Sequence, residues 1–344
     1  MIIRNILFLI LFFLFISSKA QTGSYDETSL LFYNVENLFD TKNDSLTEDD
    51  DFTPKGEMHW TEKRLKTKLN NLSKVILNAS GWNTPDLVAL AEVENKLVVE
   101  RLIHETPLKN IPYKIVHKES PDHRGLDVVL LYNEAHFYPL EYHYYPLLSS
   151  NNQIERTREI LYVTGILNGV DTLHIFVNHW PSRYSGLLES KPARLAVARL
   201  LKSRINEVIK KYKFPKIIIV GDFNDNPNDE SIRDVLLAKN ITTAIDQNEL
   251  YNLSANWLNE NRGTLKYQSQ WDVFDQIIVS GALLSAEKGL MTTPKNATIL
   301  RLRFLLGKDS KFGDVKPYRT YYGFQYVGGF SDHLPVMLKL KVKD

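Results

Sequence analysis

Lys216-Ile217-Ile218-Ile219-Val220-Gly221-Asp222-Phe223-Asn224 is the stretch on which the reading of this chain turns. Four β-branched residues in succession leave no position for a solvent face, so 217–221 reads as a strand covered on both sides. It runs out into Asp222 and Asn224, a carboxylate and an amide two positions apart. On a strand of period two they share one side. There Asp222 can align or deprotonate a water, and Asn224 can donate to a phosphate oxygen. The competing reading for both is an Asx-turn.

Other apolar runs repeat the arrangement: strands are expected at 30–35, 87–92, 127–132, 161–167, 172–178, 274–279 and 336–342. Polar chemistry gathers at their ends. The first runs into Asn34-Val35-Glu36, whose amide and carboxylate the same alternation puts on one face, with turn capping by Asn34 as the alternative. The second ends in Glu92, a candidate metal ligand or a plain surface carboxylate. The run 172–178 leads into His179-Trp180-Pro181-Ser182-Arg183, Asp275 stands at the start of the run 274–279, and Ser331-Asp332-His333-Leu334-Pro335 precedes the last strand. Helices are expected at 60–78, 95–104 and 189–212, the last with Pro192 in its first turn. Their basic faces read as solvated surface.

The whole chain of 344 residues carries a formal net charge of only +1, so any grip on a polyanion must be local. There is no cysteine, which excludes disulfides, thiolate-held zinc and iron–sulfur clusters. Residues 1–20 read as a secretory signal: Arg4, an apolar run at 6–16, then Ser17-Ser18-Lys19-Ala20. That run is shorter than the ~20 residues a membrane helix needs, so no stable span is expected. The rest, 21–344, reads as one domain of an exported protein, periplasmic or extracellular. The acidic cluster 44–51 has no central glycine and does not read as a calcium loop.

Phosphodiester hydrolysis needs a hard cation on oxygen ligands, a base for the attacking water, and donors for the charge that grows on the phosphoryl oxygens. The strand ends supply these residue types. In this order, with GDFN (221–224) and SDHLP (331–335) both intact, the elements from Asn34 to His333 resemble the endonuclease/exonuclease/phosphatase superfamily, which includes deoxyribonucleases and sphingomyelinases. The resemblance implies an α/β fold, a two-sheet sandwich of mixed, largely antiparallel strands flanked by helices. It implies Mg²⁺ or Mn²⁺ held by Glu92 with Asn34 and Glu36, and Asp222 and Asn224 on the water and the phosphate. It implies Asp275 supporting His333, Asp332 completing the terminal pair, and His179 as a second histidine. Asp127, at the start of its strand, is put forward as the partner of His179. Arg124, Arg156, Arg158 and Arg183 are candidate phosphate contacts, with ordinary surface arginines as the alternative.

The expected function is therefore a secreted metal-dependent phosphodiesterase, a nuclease on DNA or RNA. A sphingomyelinase-like lipid phosphodiesterase or a phosphomonoesterase is the alternative. An inactive binding protein is least favoured, because Glu92, Asp222, Asn224 and His333 are all present. Loops at 263–272 and 301–330, mixing aromatic and basic residues, are expected to set substrate choice. No protein partner is inferred.

Overall fold

The computed structural model describes residues 27–81, 83–184, 186–241, 244–260 and 262–343. The expected secretory signal at 1–20 lies outside them. Two seven-stranded sheets face each other. The first contains β1 (Glu27–Leu38), β2 (Leu87–Val93), β3 (Tyr113–Val116) and β4 (Asp127–Asn133). The second contains β5 (Phe137–Tyr145), β6 (Ile160–Leu167), β7 (Asp171–His179), β8 (Lys216–Asp222), β9 (Ala238–Lys239), β10 (Leu250–Asn252) and β11 (Asp275–Ser280). The chain then returns to the first sheet for β12 (Gly289–Met291), β13 (Ala297–Ile299) and β14 (Val336–Lys343). The strand orders are β12-β14-β1-β2-β4-β3, with β13 also on β14, and β5-β6-β7-β8-β11-β10-β9. Pairing is antiparallel except for β1/β2, β7/β8 and β9/β10. This is the expected mixed sandwich.

The run at 217–220 serves two cores at once. Ile218 and Val220 join the core between the sheets, with Leu31, Val88 and Val129 among others. Ile217 and Ile219 join a second core, where Val197, Ala198, Leu201 and Ile205 of a long helix cover the sheet. That helix, α3 (Leu187–Lys211), starts two residues earlier than expected, so Pro192 sits inside it rather than in its first turn. The other two main helices, α1 (Glu62–Asn78) and α2 (Lys96–His104), agree with the periodicity; the Asn95 side chain caps α2 by accepting from the Val98 amide at 2.9 Å.

The helices' basic residues are not all solvated. Lys68 of α1 and Arg194 of α3 are buried. Lys68 donates to the Thr320 hydroxyl and the Phe330 carbonyl, and Arg194 pairs with Asp225 at 2.7 Å. No described helix is long and apolar enough to cross a membrane.

Sheet topology fixes where the polar strand ends meet. The parallel pairs β1/β2 and β7/β8 run out at their C-terminal ends together, at Asn34 and Ala91 in one sheet and at His179 and Asp222 in the other. The antiparallel neighbours begin at that same edge. Asp275 pairs with Asp222, and Val336 with Phe32, just after the 331–335 segment.

Candidate active site

Asp222 lies at the centre of the edge. It is buried, and its Oδ1 accepts from the Asn224 amide at 2.9 Å. Its Oδ2 accepts from Asn34 Nδ2 at 3.0 Å, and the same Asn34 nitrogen lies 3.2 Å from Glu92 Oε1. The other Glu92 oxygen accepts from the Asn37 amide at 2.8 Å. Two imidazoles point at the same carboxylates: His333 Nε2 is 3.7 Å from Asp222 Oδ2, and His179 Nε2 is 3.8 Å from both Asp222 Oδ2 and Glu92 Oε1. Behind His333, Nδ1 meets Asp275 Oδ2 at 2.7 Å. Ser331 ties this segment to β1 by donating to the Asn34 carbonyl at 2.7 Å, and its hydroxyl accepts from the His333 amide at 3.1 Å.

Local backbone explains how these side chains arrive. Glu92 is the extra residue of a bulge, since Ala91 opposes Val128 and Val93 opposes Asp127. Its φ of 65° swings the carboxylate off the strand's alternation and toward Asn34. β8 ends at Asp222, and Asn224 reaches the site through a left-handed turn with φ 50°, not through strand alternation. A Cβ on Gly221 would collide with the Asn178 carbonyl, so only glycine lets β7 and β8 approach this closely before the site.

The electrostatics follow from burial. Burial pushes the Asp222 carboxyl up to about 7, against the charge of His333 and with the Asp275 carboxylate. Burial alone would depress His333, but the carboxylates of Asp275 and Asp222 outweigh it and hold the imidazole well above its ordinary range. His179 is held well below that range by burial, then by the charges of Arg158 and Arg124. The two histidines thus carry different charges near neutrality, His333 protonated and His179 neutral.

Several expectations are corrected. Glu36 does not brace a metal beside Asn34: φ values of 52° at Glu36 and Asn37 break the strand's period. Its carboxylate faces the 319–320 segment instead, 3.0 Å from Arg319 Nε and 2.6 Å from the Thr320 amide. Asp127 does not support His179. It pairs with His117 at 2.8 Å and accepts from the Ser120 amide, while His179 Nδ1 is buried without a hydrogen-bond partner.

Arg158 and Arg183 are not free to grip a substrate backbone. Arg158 is buried between Asp122 at 2.9 Å and the Trp180 carbonyl at 2.8 Å. Arg183 clamps the loop after Asp222, donating to the Asn224 carbonyl, Asp225 and Asp229. Arg124, with its side chain 36% exposed, stays at the surface. Asn224 spends one amide hydrogen on the Trp180 carbonyl at 3.1 Å, which leaves the second for a ligand.

Of two further residues at the site, Arg319 was expected only as a basic residue of the 301–330 substrate loop, and Lys68 went unread in the sequence. Arg319 bridges Glu36 and Asp332, 3.0 Å from each. Lys68 lies behind that bridge, its pKa brought down to about 8 by burial against the opposing pull of Glu36, Asp332 and Glu92. Its signal was its position: three residues after Leu65 and four before Leu72, it falls on the apolar stripe of α1.

The donor set fits a hard divalent cation. Carboxylate oxygens of Asp222 and Asp275 and a nitrogen of His333 lie within 4.8 Å of one another, with Glu92 alongside. Asp275 Oδ1 is buried with no hydrogen-bond partner. Oxygen-rich, thiolate-free and acidic, the cluster matches Mg²⁺ or Mn²⁺ better than soft metals.

A profile of the Endonuclease/Exonuclease/phosphatase family matches residues 29–342. No curated protein sequence matches the chain. Among solved structures, the Bacteroides thetaiotaomicron mannosyl-6-phosphatase Bt3783 superposes with a TM-score of 0.56 at 15% identity, over 91% of this chain and 99% of that one. TDP2 from C. elegans superposes at 0.55 and 15% identity, over 95% and 82%. D. rerio TDP2 complexed with a single-strand DNA product superposes at 0.54 and 13% identity, over 92% and 99%. At these identities the likeness establishes the fold.

Proposed function

The chain belongs to the endonuclease/exonuclease/phosphatase family, and from that premise we propose that it is an exported Mg²⁺- or Mn²⁺-dependent phosphodiesterase that hydrolyses nucleic acid. The phosphoester chemistry follows from the family. The observation that carries the site is the convergence on one oxygen: Asp222 Oδ2 has Asn34 at 3.0 Å, His333 at 3.7 Å and His179 at 3.8 Å. Residues from four distant stretches have no structural need to crowd one buried carboxylate, whose desolvation is costly.

In this reading Glu92 would hold the cation with Asp222 beside it; Asn34, expected as a ligand, instead donates from Nδ2 to both carboxylates while its Oδ1 accepts from the Glu36 amide, so it positions the ligands rather than binding the ion. The cation, when bound, supplies Lewis acidity to the phosphoryl oxygens. Asp222, with a pKa near neutrality, aligns the water and takes its proton. His333, kept charged by Asp275, donates from Nε2 to a non-bridging oxygen, and Asn224 donates its second amide hydrogen to another. Neutral His179 presents Nε2 to the leaving oxygen as a hydrogen-bond donor, and that oxygen takes its proton from solvent water as it departs. Asp332, beside His333 in the chain, is held by Arg319 at 3.0 Å.

Nucleic acid is favoured over lipid because the loops beside the site mix cations with aromatic rings: Lys316 lies 4.2 Å from the Tyr322 ring centroid, and Arg319 5.9 Å. The single-strand DNA product held by D. rerio TDP2 is consistent with this preference. A phosphomonoesterase is the second reading, favoured by the fold shared with Bt3783. The reading of export rests on residues 1–20 alone. The deciding experiment is a panel with Mg²⁺: supercoiled plasmid, single-stranded RNA, sphingomyelin, a sugar phosphate and an aryl phosphodiester. Nicking or RNA cleavage, abolished by EDTA and by Asp222→Asn, is expected. Release of phosphate from the monoester, with both nucleic acids intact, would overturn the nuclease.

A further inference from the structure

Two cavities lie against the loop at 122–125, and their charges differ. One, of about 710 Å³, is lined by Asp40, Asp44, Glu94, Glu119, Asp122 and Asp127, against Lys42, Lys96 and Arg156. The other, of about 910 Å³, is lined by Arg124, Arg156, Arg158, Ser182 and Tyr184, with Glu155 and Glu189 also on its wall. Each falls within the ~300–1,000 Å³ typical of ligand clefts. Acids outnumber cations on the first wall and not on the second, so the second is the better path for an anionic chain.

The second cavity adjoins the site directly. Trp180 follows His179, its carbonyl accepts from Asn224 and from Arg158, and Pro181 and Ser182 continue into the cavity wall. Arg124 lies near enough for its charge to act on His179. The arginines of this wall are not equivalent. Arg158 is neutralised by Asp122 and buried. Arg124 is only 3.9 Å from Asp122 at its closest and keeps a partly exposed side chain. Arg156 is exposed and, among the described residues, its side chain makes no ion pair or hydrogen bond. It lines both cavities, so it stands on the ridge between them. Tyr184, fully exposed, lines this cavity and a smaller one at Glu36 and Asn37, which puts its ring at the mouth of the site.

We propose that Arg124 and Arg156 form a subsite for a second phosphate of the substrate, the one next to the scissile bond on a single-stranded oligonucleotide, with Tyr184 as a stacking surface at its rim. This deepens the nuclease reading and rests on it. An unpaired guanidinium on a ridge is well suited to a phosphate that passes over it, because bidentate donation needs no partner to be displaced. An isolated exposed ring gives a base a face to stack on without selecting its identity. A substrate with one phosphate and no flanking nucleotide gains nothing from either.

The test compares two substrates of the full-length mature protein with Mg²⁺: pentathymidylate, and thymidine 5′-(p-nitrophenyl phosphate), which has one phosphate. For Arg156→Glu, kcat/KM on pentathymidylate should fall at least about tenfold, mostly through KM, and on the aryl ester less than about threefold. Arg156→Lys, which keeps the charge but not the two-pronged donor, should recover only part of the loss. The log–log salt dependence of KM for pentathymidylate should flatten by about one unit in Arg156→Ala. Thermal melting confirms folding in each variant. Equal losses on both substrates, or none on pentathymidylate, overturn the subsite. If the wild-type protein cleaves the aryl ester but not pentathymidylate, the subsite falls and the phosphodiesterase stands; if it cleaves neither, both fall.

Discussion

Replacing Asp275 by asparagine separates a catalytic role for His333 from a structural one. Asp275 is fully buried, and its Oδ2 accepts from His333 Nδ1 at 2.7 Å. An asparagine of the same shape can still accept that proton, so the ring stays where it is. What changes is charge. With Asp275 neutralised, burial regains its hold on His333, opposed only by Asp222 and Asp332, and the imidazole gives up a proton more readily. The remaining proton stays on Nδ1, facing the amide, and Nε2 becomes a bare acceptor aimed at the phosphate. A donor to the developing charge is then lost, an effect worth about 2.7–4 kcal/mol, or about 10²–10³-fold in kcat. Stability should change little, because a buried charge is removed but the amide nitrogen that replaces the unpartnered Oδ1 finds no acceptor. The assay is steady-state hydrolysis of an aryl phosphodiester with saturating Mg²⁺, beside thermal melts. Because Asp275 acts through His333, the double variant with His333→Ala should be no slower than His333→Ala alone. A kcat within about threefold of wild type, or losses that multiply in the double variant, refutes the assignment.

Glu92→Gln should raise the Mg²⁺ concentration for half-maximal activity by about tenfold or more, read by metal titration of the same assay. Lys68→Met removes the donors to Thr320 and Phe330, so the 319–331 segment should be cut earlier in limited proteolysis and kcat should drop by about tenfold. His174 is buried in β7 with Nδ1 2.8 Å from the Tyr162 hydroxyl, and burial holds its pKa down to about 4. The unfolded chain protonates this residue near 6.5, so the fold loses about 3 kcal/mol as pH falls from 6.5 through 4. His174→Gln should lessen that loss, measured by urea unfolding at about pH 7.5 and about pH 4.5.

Where both faces of a strand are buried, local sequence is enough to find it. β7 and β8 were legible for that reason, and so was the point at which each gives way to His179 and Asp222. β5 was not legible: Tyr138, Leu140 and Tyr142 are exposed on an outer strand, so no apolar pattern marks it. Side-chain direction also escaped wherever the backbone leaves the strand's period. The left-handed turn at Glu36 and Asn37 sent one carboxylate to Arg319, and the bulge at Glu92 brought another in. Partners across the fold were the least legible. Nothing near Asp127 says that His117, ten residues before it, will claim its carboxylate ahead of His179. The fates of Arg158 and Arg183 were set by Asp122 and by the carbonyls of Trp180 and Asn224, contacts that exist only once the strands are assembled.

The site's placement follows from the same assembly. In a sandwich, strand interiors are committed to apolar packing, and only the ends can present polar groups without breaking a core. Parallel pairing at β1/β2 and β7/β8 sends four chain exits to one edge, and the antiparallel strands β11 and β14 start there. Asn34, Glu92, His179, Asp222, Asp275 and His333 are therefore neighbours because of topology, not because of their spacing in sequence. Held this way, three carboxylates sit together largely out of water, an arrangement that burial penalises and that a less acidic set would relieve. The Asn34 amide and the charged His333 compensate part of that charge. The remainder is negative, complementary to a divalent cation, and the cations Arg124 and Arg156 lie outside it, on the side of the proposed phosphate subsite.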